Sequence, residues 1–239
     1  MQKDKIERAI DLVLEQDQNE FLDSLKARGI NYTVRSDGLV DVDGNIDLND
    51  VQLKKLPIKF GVVTGSFDCS HNLLTSLQGA PEEVKVWFDC SENQLTNLQG
   101  CPKKVGNWFD CSDNQLISLE GAPGKMEGGF YCSTNQLTSL EGCPKEVKGS
   151  FTCSNNKLTS LEGCPQDLSG NSFICNHNLL TSLRGCPKKV AKDNFYCGNN
   201  PVEFTKEDIE LAKQGKAPLG LPLSWVLMKK KEKEFKEKS

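Results

Sequence analysis

The sequence predicts an α/β-repeat solenoid: short parallel strands stacked coil on coil, with a non-helical return segment and a helical cap at each end. Three observations carry that prediction. Seven cysteines, at 69, 90, 111, 132, 153, 175 and 197, are spaced 21, 21, 21, 21, 22 and 22 residues apart. A Phe stands two residues before each of them, and an Asn stands three residues after each of them. A fixed period of this size marks a coil that buries its apolar face only by stacking on its neighbours.

The elements follow in chain order. Residues 3–28 carry Ile6, Ala9, Ile10, Val13, Leu14, Phe21, Leu22 and Leu25 at helical spacing, and Gly29 is a natural stop. Turns at Asp37-Gly38 and Asp43-Gly44 lead into weaker coils in which Ile46, Leu48, Leu53, Leu56 and Val63 keep the repeat's phase. This gives residues 1–45 as an N-terminal helical cap with the first strands, and 46–203 as a solenoid of about eight coils.

Within each coil, Phe67-Asp68-Cys69 and its copies alternate apolar, polar, apolar, as a short strand with one buried face does. Asn72, Asn93, Asn114, Asn135, Asn156, Asn178 and Asn200 follow where the chain turns out of the strand. An amide there can satisfy backbone groups, and losing a buried partner costs about 1–3 kcal/mol. Two Leu columns come next, then Gly, a small residue and Pro. Cys101, Cys143, Cys164 and Cys186 share the small position with Ala80 and Ala122, so all eleven cysteines belong to the repeat. Gly and Pro argue against a helix in this return segment. Single extra residues, between Leu168 and Phe173 and between Val190 and Phe195, belong at the turn entering the strand.

The pattern L-x-L-x-x-N-x-L, with Phe and Cys in the first two apolar places, resembles the leucine-rich repeat family across residues 46–203. The short period and the Pro-containing return are most similar to bacterial and phage-encoded members. The resemblance implies a right-handed horseshoe or arc, with a parallel sheet on the concave face and irregular chain on the convex one. It further implies protein binding on the concave face.

After Pro201 the repeat stops. Thr205 with Asp208 three residues on has the form of a capping box for a helix through about Gln214. Pro218, Leu219, Leu221, Pro222, Leu223, Trp225, Val226 and Leu227 then supply apolar surface to seal the last coil. A Lys/Glu tail runs from Lys229 to Ser239. Residues 204–239 form a C-terminal helical cap with that charged tail.

Composition narrows the function. The chain has 239 residues, a formal net charge of -4 and 37% apolar residues, as a thin body with much surface would. No apolar run reaches the roughly 18 residues of a membrane span, and the N-terminus has no signal-peptide core, so a cytoplasmic protein is expected, in a host cytoplasm if phage-encoded. Residues 67–200 hold 11 Lys/Arg against 14 Asp/Glu, net -3, which disfavours nucleic acid. The cysteines pack as small hydrophobes, without the C-x-x-C clusters of a metal site. His71 and His177 lie five coils apart, and no nucleophile–base pair stands out. No enzyme, cofactor or metal is therefore expected.

The positions pointing out of the strands single out one surface. Asp68, Asp89 and Asp110 fall in line, with Glu92 and Asp113 beside them and Trp87 and Trp108 adjacent. Facing like charges are unfavourable, and Trp is enriched where proteins bind one another. Tyr131 completes the candidate partner-binding set. The expected function is a monomeric protein-interaction module, whose partner brings basic and apolar groups. The alternative is a structural component of a larger assembly.

Overall fold

A computed structural model describes residues 18–168, 171–191 and 193–216. The repeat builds a parallel β-solenoid. Its first ladder is an eight-stranded parallel sheet running Ile46–Asp47, Phe67–Asp68, Phe88–Asp89, Phe109–Asp110, Phe130–Tyr131, Phe151–Thr152, Phe173–Ile174 and Phe195–Tyr196. Each Phe pairs with the Phe of the next coil, from Phe67 on Phe88 to Phe173 on Phe195. Eight strands in line bound seven turns.

The return side differs from the irregular chain expected there. The residues before each Phe–Cys strand form a second series of parallel strands. Val40–Asp43, Phe60–Val63, Glu83–Val84 and Lys104–Val105 join one sheet, which Asn31–Val34 edges antiparallel to Val40–Asp43. Lys125–Met126 then pairs with Glu146–Val147, and Asp167–Leu168 with Lys189–Val190. Two-residue strands fit because Gly and Pro interrupt only the stretch before them, and stacking brings equivalent backbone groups into hydrogen-bonding reach. Both ladders keep register across the two longer coils, so each extra residue is absorbed in the turn between them.

The core is a set of columns. The rings from Phe67 to Phe173 stack at centroid distances of 5.2–5.8 Å. Leu74, Leu95, Leu116, Leu137, Leu158 and Leu180 are completely buried beside them. The second Leu column, from Leu77 to Leu183, is buried as well. Fully burying one such side chain stabilises by roughly 1.5–3 kcal/mol.

The Asn column joins one coil to the one before. Asn93 accepts the Leu74 N–H through Oδ1 and donates through Nδ2 to the Cys69, Cys90 and Ser91 carbonyls. Asn114, Asn135, Asn156, Asn178 and Asn200 repeat this set. The residue ahead of each Asn is left-handed: His71, Glu92, Asp113, Thr134, Asn155, His177 and Asn199 have φ between 51° and 55°. At Gly121, with φ 97°, a Cβ would lie 2.7 Å from the Leu98 carbonyl oxygen, so glycine is required twice over.

At the N-terminal end residues 18–27 are helical. Leu22 and Leu25 are buried there, and Phe21 meets Phe60 edge-on at 6.0 Å. The helix ends one residue before the expected bound, with Arg28 in a turn, and residues 3–17 of the expected 3–28 helix lie outside the described residues. At the other end Lys206–Lys213 is a helix whose Thr205 and Asp208 form the reciprocal capping box, with Ala212 buried. The apolar seal from Leu219 to Leu227 and the Lys/Glu tail lie outside the described residues. Among the described residues, no helix is long and apolar enough to cross a membrane.

Candidate functional site

The outer face of the Phe–Cys ladder alternates with its buried face, so the residues flanking each Phe point away from the core. Asp68 pairs directly with Asp89, and Asp89 with Asp110. Asp47 pairs with Asp68 and extends the column to four carboxylates. Asp47 was missed in the sequence because its coil has Ile46 and Leu48 in place of Phe and Cys. Stepping back 21 residues from Asp68 would have found it.

Each aspartate folds over its own strand end. Asp47 accepts the Asn49 N–H, Asp68 the Ser70 N–H and hydroxyl, Asp89 the Ser91 N–H and Asp110 the Ser112 N–H. Among the described residues no Lys or Arg pairs with the ladder, and the imidazole of His71 meets Glu92 instead. Burial pushes the Asp89 carboxyl above the ordinary aspartate range, with Ser91 and, more weakly, His71 pulling the other way and Asp68 adding to the rise. Asp110 is raised in the same manner, again chiefly by burial, with Asp89 and Asp113 adding to it.

Two residues back along the strands lies an aromatic row. Trp87 and Trp108 are half-buried and stacked face to face, with centroids 4.6 Å apart and planes 6° from parallel. Tyr131 occupies the aspartate column of the next coil, yet its ring sits 6.3 Å from Trp108. The reason is Gly129, which stands in the Trp column: a Cβ there would collide with the Tyr131 ring. A missing side chain thus lets Tyr131 lean across and lengthen the row.

Glu92 and Asp113 sit at the left-handed turn beyond the strand, both exposed, and Glu92 meets His71 Nδ1 at 2.9 Å. The predicted set therefore forms one surface of three rows. Beyond Tyr131 the face changes to Thr152, Ile174 and Tyr196, flanked by Ser150, Ser172 and Asn194.

The other chemistry is quiet. All eleven cysteines are free and buried. Burial raises the Cys101 and Cys143 thiols to about 12, and Cys186 and Cys197 to about 11. Several instead donate to the next coil, as Cys69 does to the Asp89 carbonyl at 3.3 Å and Cys101 to that of Gly121 at 3.0 Å. Among the described residues, no group of three or more His, Cys, Asp or Glu could hold a metal ion. The lysines of the second ladder pair with its acids, as Lys85 with Glu83 at 2.7 Å and Lys189 with Asp167 at 2.7 Å.

Comparison of the chain with protein-family models, with curated proteins and with solved structures found no match.

Proposed function

We propose that this protein is a non-enzymatic protein-interaction module that takes its partner on the Asp–Trp face of the solenoid. One observation carries the proposal. A column of directly paired aspartates, none paired with a Lys or Arg among the described residues, runs beside two stacked and half-exposed Trp side chains. Such a column disfavours the free protein, and a basic partner removes the penalty. The buried, protonated thiols favour binding over catalysis as its role.

The repeat's columns support a leucine-rich repeat of the short-period bacterial or phage type, in which this face is the concave one. A phage- or bacterium-encoded binder or inhibitor acting in the cytoplasm on a host protein fits that membership. The test is affinity capture from host lysate with the wild-type protein and with Trp87→Ala/Trp108→Ala. Loss of a specific partner in the variant supports the proposal, and undiminished capture overturns it.

The assembly reading rests on the terminal strand Phe195–Tyr196, whose Tyr196 is 45% exposed. Light scattering on a sizing column separates the two, since a clean monomer opposes assembly through the ends.

A further inference from the structure

The Asp–Trp face has a pitch as well as a charge. Its carboxylates rise by one strand per coil, about 4.8 Å, so Asp47, Asp68, Asp89 and Asp110 lie at about 0, 4.8, 9.6 and 14.4 Å along the solenoid axis. The row of Trp87, Trp108 and Tyr131 runs parallel, two residues back along the strands, or about 6.6 Å away; it starts in the Asp89 coil, at about 9.6, 14.4 and 19.2 Å along the axis. Any occupant must match both rows at once.

An extended segment laid along the axis presents same-side residues every 6.6 Å or so, and falls out of step with the aspartates by its second contact. A helix rises about 1.5 Å per residue. Its positions i, i+3, i+7 and i+10 therefore lie at about 0, 4.5, 10.5 and 15 Å, within about 1 Å of the aspartate column throughout. Positions i+4, i+8 and i+11 form the adjoining row of the same helix, at about 6, 12 and 16.5 Å, so each apolar side chain there reaches roughly 3 Å along the axis to its ring.

Charge complementarity fixes what those rows carry. The aspartates have no Lys or Arg partner among the described residues, and Asp89 and Asp110 are partly withdrawn from water. The aromatic row offers half-exposed ring edges to an apolar side chain.

We propose that the partner presents an amphipathic basic helix that lies along the solenoid axis, with Arg or Lys at i, i+3, i+7 and i+10 over the aspartates and apolar side chains at i+4, i+8 and i+11 against Trp87, Trp108 and Tyr131. This rests on the reading of the Asp–Trp face as the binding surface. The cations meet carboxylates already oriented by Ser70, Ser91 and Ser112, so little ordering is required of the solenoid.

The test uses synthetic peptides and the full chain. One peptide carries Arg at positions 2, 5, 9 and 12 and Leu at 6, 10 and 13, with Ala and Gln elsewhere. The second has the same composition with Arg at alternate positions, and the third is the first with Pro at position 7. Dissociation constants are measured by fluorescence anisotropy at low and moderate salt. The first peptide is expected to bind at least about tenfold more tightly than the other two, and to weaken as salt rises. Asp89→Asn/Asp110→Asn and Trp87→Ala/Trp108→Ala, each checked for wild-type circular dichroism, are expected to cost it about tenfold or more.

Equal or tighter binding of the alternate or Pro-containing peptide overturns the helix and leaves the Asp–Trp face standing. Absence of binding by the first peptide also overturns the helix, since lysate capture tests the face independently. Unchanged affinity for every peptide in both variants overturns the face itself.

Discussion

Asn114 Oδ1 accepts the N–H of Leu95, nineteen residues earlier and one coil back, at 2.9 Å. Its Nδ2 donates to the Cys90 carbonyl of that same coil at 3.0 Å, and to Cys111 and Ser112 in its own. One side chain thereby closes a turn and fastens it to its neighbour.

Asn114→Ala removes both ends of that fastening and leaves the buried Leu95 N–H without its acceptor. At about 1–3 kcal/mol for a stranded buried group, a loss of at least about 2 kcal/mol is expected. Urea unfolding measures it. Hydrogen exchange should show faster opening at Leu95 than at Leu158, which is served by Asn178.

Asp89→Asn should stabilise the free protein at neutral pH. A carboxyl whose folded pKa lies above its unfolded value penalises the native state when ionised, and the penalty fades as pH falls through the folded pKa. Asn keeps the acceptor for Ser91 and removes repulsion from both neighbours. The expected gain is up to about 1 kcal/mol at pH 7, vanishing by about pH 3. Parallel melts of variant and wild type across pH check it. A variant that is no more stable at neutral pH contradicts the uncompensated ladder.

Thr134→Asn should also stabilise. Thr134 is exposed, β-branched and held at φ 53°, a region Asn tolerates far better. A gain of about 1 kcal/mol in urea unfolding is expected, with no change in the Asp–Trp face.

The thiols should be inert in the native state. Each is buried and protonated well above neutral pH, Cys186 and Cys197 at about 11 and the others higher. A thiol reagent at pH 8 is expected to label fewer than about one of the eleven cysteines natively and all of them in denaturant. Rapid native labelling at Cys101 or Cys143 would contradict the packing of the small column.

The strand columns were legible because Phe67-x-Cys69 alternates within a coil and recurs at a fixed period between coils. The capping box at Thr205 and Asp208 was legible because it is local. The second ladder was not. Glu83–Val84 and its copies are two-residue strands, too short for alternation to show, and they follow Gly and Pro, which argue for irregular chain.

The left-handed column was hidden too, since His71, Glu92, Asp113 and Thr134 share no chemistry; backbone geometry alone unites them. At the candidate site the aspartate column and Trp pair were visible as spacing. The lean of Tyr131 over Gly129 was not, because it depends on a side chain that its own coil lacks two residues back.

The pattern of fastening has a consequence for how such a chain changes length. Each Asn side chain from Asn93 onward bonds only within its own coil and the one before, so no bond of this set spans two boundaries. Removing or duplicating one 21-residue unit, such as 88–108, re-creates the same junction at the scar. The outer face of the Phe–Cys ladder can therefore be lengthened or trimmed in whole steps of about 4.8 Å by duplication and deletion, while the core beneath each remaining step is left as it was.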